Sequence, residues 1–276
     1  MKILLPVSPD PSREDALRLA IGVAGPAGAE VRVVFVVDRA GIRRCEAGAP
    51  PGAIHIALKA EEEIAERLAS EGGKTVDLLC RACRAAGVRA SGDVREGSPR
   101  DEIEAAASEC DLLVAGAGSR YAFDLGDAPG KMILSLMNDR ILPVLLAAAS
   151  RREIGTVVVG CGGGLRSERA VGAMARLGLW KAGPRIVLLA VADSRGKGEE
   201  SLADPRRILA DAGYARWEEK VIPGPKVEAF LSFCEAEGAD AAVLGGWGQH
   251  RWNEYFGMSI TGRLLDEGRR HLFLYM

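Results

Sequence analysis

Short continuous apolar runs alternate along this chain with segments whose apolar residues recur at helical spacing. The first run, "KILLPV", leads through a Pro/Ser/Asp turn into "SREDALRLAIGVAGPAGA". There Ala16, Leu17, Leu19, Ala20 and Val23 share one face of a helix, with Ser12 as its expected N-cap and Asp15 in its first turn. A β-branched run, "EVRVVFVVD", follows. Runs that do not alternate with polar residues are buried on both faces, and their alternation with amphipathic helices predicts parallel sheets covered on both sides.

The plan occurs twice. "GTVVVG", a glycine-rich turn and "RSERAVGAMARLGLWKAG" repeat the opening, and "PRIVLLAVAD" repeats the second run, again ending in Asp. After a variable middle, "VREGSPRDEIEAAASECDLLVAGAG" and "VIPGPKVEAFLSFCEAEGADAAVLGG" match in order: a Gly/Pro turn, a helix, a buried strand and a glycine loop. Each half ends on a short apolar strand, "ILPVLLA" and "HLFLYM". The expected fold is α/β, with two tandem doubly wound parallel-sheet domains at residues 1–149 and 150–276, divided in the polar stretch "AAASRREIG". "RCEAGAPPGAIH" and "SRGKGEESLADP" read as loops on their Gly, Pro and charge content. The terminal strands read as apolar edges that one half would cover in the other, as an intramolecular pseudo-dimer.

Composition narrows the class. A length of 276 residues favours two domains, and 48% hydrophobic with 27% charged residues describes an ordinary globular chain. Lys+Arg 36 against Asp+Glu 38, with no basic patch, argues against a nucleic-acid partner. The start "MKILLPVSPDPS" has no secretory h-region, and no apolar run approaches the ~20 residues of a membrane span, so a cytoplasmic protein is expected. The six cysteines (45, 80, 83, 110, 161 and 234) then read as reduced thiols. Cys80-x-x-Cys83 lies inside a helical run without a second ligand pair, so no metal is expected there.

In an open parallel sheet, ligands bind beyond the carboxyl ends of the strands where strand order reverses. The stretches placed there are "SPDPS" (8–12), "GAGSRYAFDLGDAPGKM" (116–132), "CGGGLRS" (161–167) and "GGWGQHRWNEYFGMSITGRLL" (245–265). Glycines beside helix N-termini suit an anion, and His250 and Arg251 are candidates to meet a phosphate. Trp252, Tyr255 and Phe256 read instead as residues packing on the sheet. Neither His55 nor His271 has an acidic or hydroxyl partner placed by sequence, so no Ser/His/Asp arrangement can be argued.

The "ILLPV" start, the "EGSP" and "IPGP" turns, the "CDLLVAG" and "ADAAVLGG" strands and a Gly-x-x-Gly ahead of the last helix together resemble the universal stress protein family, twice along the chain. That resemblance implies an adenine nucleotide, ATP or another, held by Gly-x-x-Gly, nine residues, then Gly-Ser or Gly-Thr, with an Asp at the end of the first strand for the adenine. In the second half Gly245, Gly248 and Ser259 fit, Ile260 opens the helix, and Met258 stands where a glycine is expected. In the first half Gly116 fits, Ser119 replaces the second glycine, and Gly130-Lys131 come one residue late. Ser8 and Cys161, the latter followed by Gly162, are read as standing at the adenine Asp, while Gly97 and Gly224 keep the turn that borders the ribose. The implied function is a non-catalytic stress-response or signalling module with at most weak nucleotide binding in the second half. Two alternatives stay open. One is a scaffold for a protein partner with both pockets degenerate. The other is an adenylating enzyme akin to the ATP pyrophosphatases, whose Ser-Gly-Gly-x-Asp-Ser turn Gly162-Gly163-Gly164 loosely matches, with Arg166 in place of the acid.

Overall fold

A computed structural model describes residues 1–46, 54–121, 142–149, 153–245 and 259–275. The chain divides into two compact units, Met1–Leu136 and Met137–Met276. In the first unit the elements are β1 (Lys2–Val7), α1 (Ser12–Ala27), β2 (Glu30–Val37), α2 (Arg39–Glu46), α3 (Ile54–Ala85), β3 (Arg89–Glu96), α4 (Pro99–Ala107) and β4 (Leu112–Gly116). The strand order is β3-β2-β1-β4, and the pairs β1–β2, β2–β3 and β1–β4 are parallel. Successive side chains on a strand point to opposite faces, so the unbroken burial of Ile3 to Val7 means both faces are covered. β3, paired to β2 alone in this order, is charged and partly exposed along its length, which blunts it as an edge.

The second unit repeats the plan as β6 (Thr156–Gly160), α5 (Leu165–Arg176), β7 (Arg185–Val191), α6 (Arg195–Asp211), β8 (Glu218–Ile222), α7 (Lys226–Ala236), β9 (Ala241–Gly245), α8 (Ile260–Glu267) and β10 (His271–Tyr275). Its parallel order, β8-β7-β6-β9-β10, mirrors that of the first unit. It also contains β5 (Val144–Ala147), which the sequence plan assigns to the first half. β5 pairs antiparallel with β10, Leu272 facing Leu146 and Phe273 facing Leu145. The buried His271 adds a bond across the same pair, its Nδ1 accepting the Ala148 backbone N–H at 3.2 Å. By its contacts β5 groups with the second unit.

Three local expectations change. "SRGKGEESLADP" is not a loop: Ser194 caps α6, its hydroxyl accepting the Lys197 N–H at 3.4 Å, and the helix runs through Pro205. Its glycine serves packing, since a Cβ on Gly198 would lie 2.2 Å from Val221 Cγ1 on β8. Leu202, Pro205 and Leu209 form the buried face. α1 begins at Ser12 itself, with Pro11 at the N-cap position, and the carboxylate of Asp10 takes the Ser12 N–H. The expected loop at 44–55 is helical at both ends, in α2 and α3, and its middle, 47–53, lies outside the described residues. Cys80 and Cys83 are buried on α3, where burial pushes the Cys83 thiol up to about 11.

Candidate functional site

In the second unit β7 and β8 extend the sheet to one side of β6, and β9 and β10 to the other, so strand order reverses between β6 and β9. A cavity of about 490 Å³ opens there, beyond the carboxyl ends of β6, β7 and β9. Its apolar wall comes from Leu189, Val191, Phe230 and Leu244. The beginnings of three helices reach it: Gly164 to Ser167 of α5, Lys226 of α7 and Ile260 of α8. A helix start offers backbone N–H groups with no partner inside the helix and the positive end of its dipole. Arg166 and Lys226 add two cations, and no carboxylate is among the described lining residues.

The candidate residues come together here unequally. Gly245, at the end of β9, touches the first turn of α5, and a Cβ there would lie 2.5 Å from the Arg166 carbonyl carbon and 2.7 Å from the Ser167 nitrogen. Only a glycine permits that approach. Ile260 and Gly162 line the cavity. Ser259 is buried at the α8 N-cap, its hydroxyl oxygen accepting the Gly262 N–H at 2.9 Å. Gly224 is not a lining residue; its φ of +123° makes the turn that sets Lys226 at the start of α7. Gly248 and Gly130 lie outside the described residues, as do Met258, His250, Arg251, Trp252, Tyr255 and Phe256.

Ser8 and Cys161, both read from sequence as standing at the adenine Asp, are not equivalent positions in the two units. The Lys2 N–H donates to Asp111 at 2.7 Å, and the Thr156 N–H donates to Asp240 at 2.9 Å. Ile3 pairs with Leu112 as Val157 pairs with Ala241. A Cβ on Gly116 would meet Ser12, as one on Gly245 would meet Arg166. All three matches make Ser8 the counterpart of Gly162, and Val7 the counterpart of Cys161. Cys161 does border the cavity, but its N–H extends the strand ladder to the Leu189 carbonyl at 2.8 Å, and burial pushes its thiol up to about 12. It stays a neutral, apolar wall. Two residues that sequence reading missed are Lys226 and, as a cavity cation, Arg166; the Gly/Pro turn just before Lys226 was the available signal.

In the first unit Gly116 packs against the start of α1 in the same way, a Cβ there falling 2.5 Å from Ser12 Oγ. Ser8, Asp10, Ser12 and Ser119 surround that contact in one hydrogen-bonded cluster.

A doubly wound α/β domain with a cavity of about 490 Å³ at its switch point is the class that fold and site define. Residues 1–126 match the model of the Universal stress protein family. Among solved structures, a universal stress protein from Archaeoglobus fulgidus DSM 4304 is 17% identical over 99% of this chain and 97% of that one, with a TM-score of 0.70. A functionally unknown protein from Pseudomonas aeruginosa PAO1 is 14% identical over 99% and 92%, with a TM-score of 0.58. These likenesses show a shared fold along the whole chain. None of the curated proteins matches it. Among the described residues no helix is long and apolar enough to cross a membrane.

Proposed function

We propose that the chain is a tandem, non-catalytic universal stress protein, a cytoplasmic stress-response or signalling module whose second unit binds an adenine nucleotide weakly. The cavity carries this reading: its volume of about 490 Å³ lies within the roughly 300–1,000 Å³ of small-molecule sites. Three converging helix ends, at roughly 0.3–1 kcal/mol each, give about 1–3 kcal/mol for an anion before the two cations are counted. The apolar wall of Leu189, Val191, Phe230 and Leu244 suits a base. Gly162 supplies no carboxylate to hold it, which makes the binding weak.

The test is to restore the missing groups. A Cβ on Gly162 meets nothing within 4 Å, so the backbone leaves room there for a side chain to start. A hydrogen bond to a charged group contributes roughly 1.5 kcal/mol, about a decade in affinity. Calorimetry with magnesium and ATP is expected to show Gly162→Asp combined with Met258→Gly binding about tenfold more tightly than wild type. Equal or weaker binding by the double variant would favour a scaffold with both pockets degenerate.

A further inference from the structure

One carboxylate ties the two loops of the first unit together. Asp10 Oδ1 accepts the Ser12 backbone N–H at 2.9 Å and also the Ser12 hydroxyl. Its Oδ2 accepts the Arg120 backbone N–H at 3.0 Å. Behind it the Ser12 and Ser119 hydroxyls lie 2.8 Å apart, and the fully buried Ser8 donates to Ser119 at 3.4 Å. The carboxylate thus bonds the first turn of α1 on one side and the loop after β4 on the other. Burial alone would raise its pKa, but the bonds from Ser12, Arg120 and Ser8 outweigh burial and hold it below 3.8. Asp10 is therefore an anion at neutral pH.

The second unit differs at this spot. By the register that pairs Ser12 with Arg166, Asp10 corresponds to Gly164, which lines the open cavity and has no side chain to bridge the loops. Backbone N–H groups of a helix start and of a glycine loop, converging on one anion, are the bonds a phosphate would receive. We propose that Asp10 is an internal anion occupying the first unit's phosphate position, locking its loops together and leaving the second unit as the chain's open site. The proposal rests on the reading of the second cavity as a phosphate site, and the test separates the two.

Pyrophosphate binding is counted by calorimetry on four full-length proteins: wild type, Asp10→Gly, Gly162→Trp to fill the second cavity, and the double variant. The expected result is one added site per chain on Asp10→Gly in both backgrounds. No added site in either folded Asp10→Gly protein overturns the proposal. Loss of wild-type binding in Gly162→Trp reports separately on the second cavity. Should Asp10→Gly fail to fold, Asp10→Asn takes its place in the same count. Amide exchange gives a check on wild type alone: the Arg120 N–H should be protected at least tenfold, and Asp10→Asn should remove most of that protection. An Arg120 amide exchanging in wild type at the rate of an open chain contradicts the lock.

Discussion

Two glycines on one cavity wall should respond oppositely to the same substitution. Gly245→Ala places a Cβ 2.5 Å from the Arg166 carbonyl carbon, 2.6 Å from its oxygen and 2.7 Å from the Ser167 nitrogen. All three atoms are backbone in the first turn of a helix, so none can swing aside. Relief to an ordinary contact of about 3.4 Å requires the end of β9 and the start of α5 to part by nearly an ångström, and overpacking of that kind costs about 1–3 kcal/mol. At roughly 3 °C per kcal/mol for a unit of this size, the melting temperature should fall by about 3–9 °C. Gly162→Ala meets nothing within 4 Å and should stay within about 0.5 kcal/mol of wild type. Calorimetric or fluorescence melts of both variants decide the matter. Equal shifts would refute the claim that backbone contact between the β9 loop and α5 shapes the cavity.

Three further outcomes are expected. Because the folded pKa of Asp10 lies below its unfolded value of about 3.9, its stabilisation is complete above that value and is lost as pH falls through the lowered folded pKa; urea midpoints between pH 5 and 2.5 should fall less steeply in Asp10→Asn, and parallel curves would contradict this. Cys161, buried and with its thiol near 12, should resist alkylation at pH 8 until the chain unfolds, and mass spectrometry showing rapid native labelling would count against its place in the wall. Residues 1–149 expressed alone carry β5 without β10, and the open apolar edge should drive dimerisation or precipitation in light scattering, whereas a stable monomer with cooperative unfolding would contradict it.

Much of the architecture was written in apolar runs. Ile3 to Leu5 and Val157 to Val159 are unbroken by polar residues because both faces of their sheets are covered, and that alone implied parallel strands. Gly245 was legible for a similar reason: a glycine after a buried strand answers to a close approach. β5 and β10 were legible as two apolar edges needing cover, but the antiparallel direction and register of their pairing were not, since neither leaves a mark in the strands. α6 was hidden because Gly196, Gly198 and Pro205 carry loop composition, while the reason for Gly198 is a valine on a neighbouring strand. The one-residue offset between Ser8 and Cys161 arose at a run of glycines, 162–164, that has no side-chain periodicity to set the register. Topology brought residues 8–12 and 116–132 together, but that the Asp10 carboxylate would bond across them was not legible, because no spacing rule assigns a partner to a side chain in a loop.

The central claim is that the second unit's cavity holds the nucleotide, and photolabelling with 8-azido-ATP followed by peptide mapping tests it most directly. The base should lie against the apolar wall, so label should fall on peptides carrying Leu189 to Val191, Phe230 or Ile260, and unmodified ATP should compete it away. Label confined to the first unit, or label that ATP does not displace, would contradict the account.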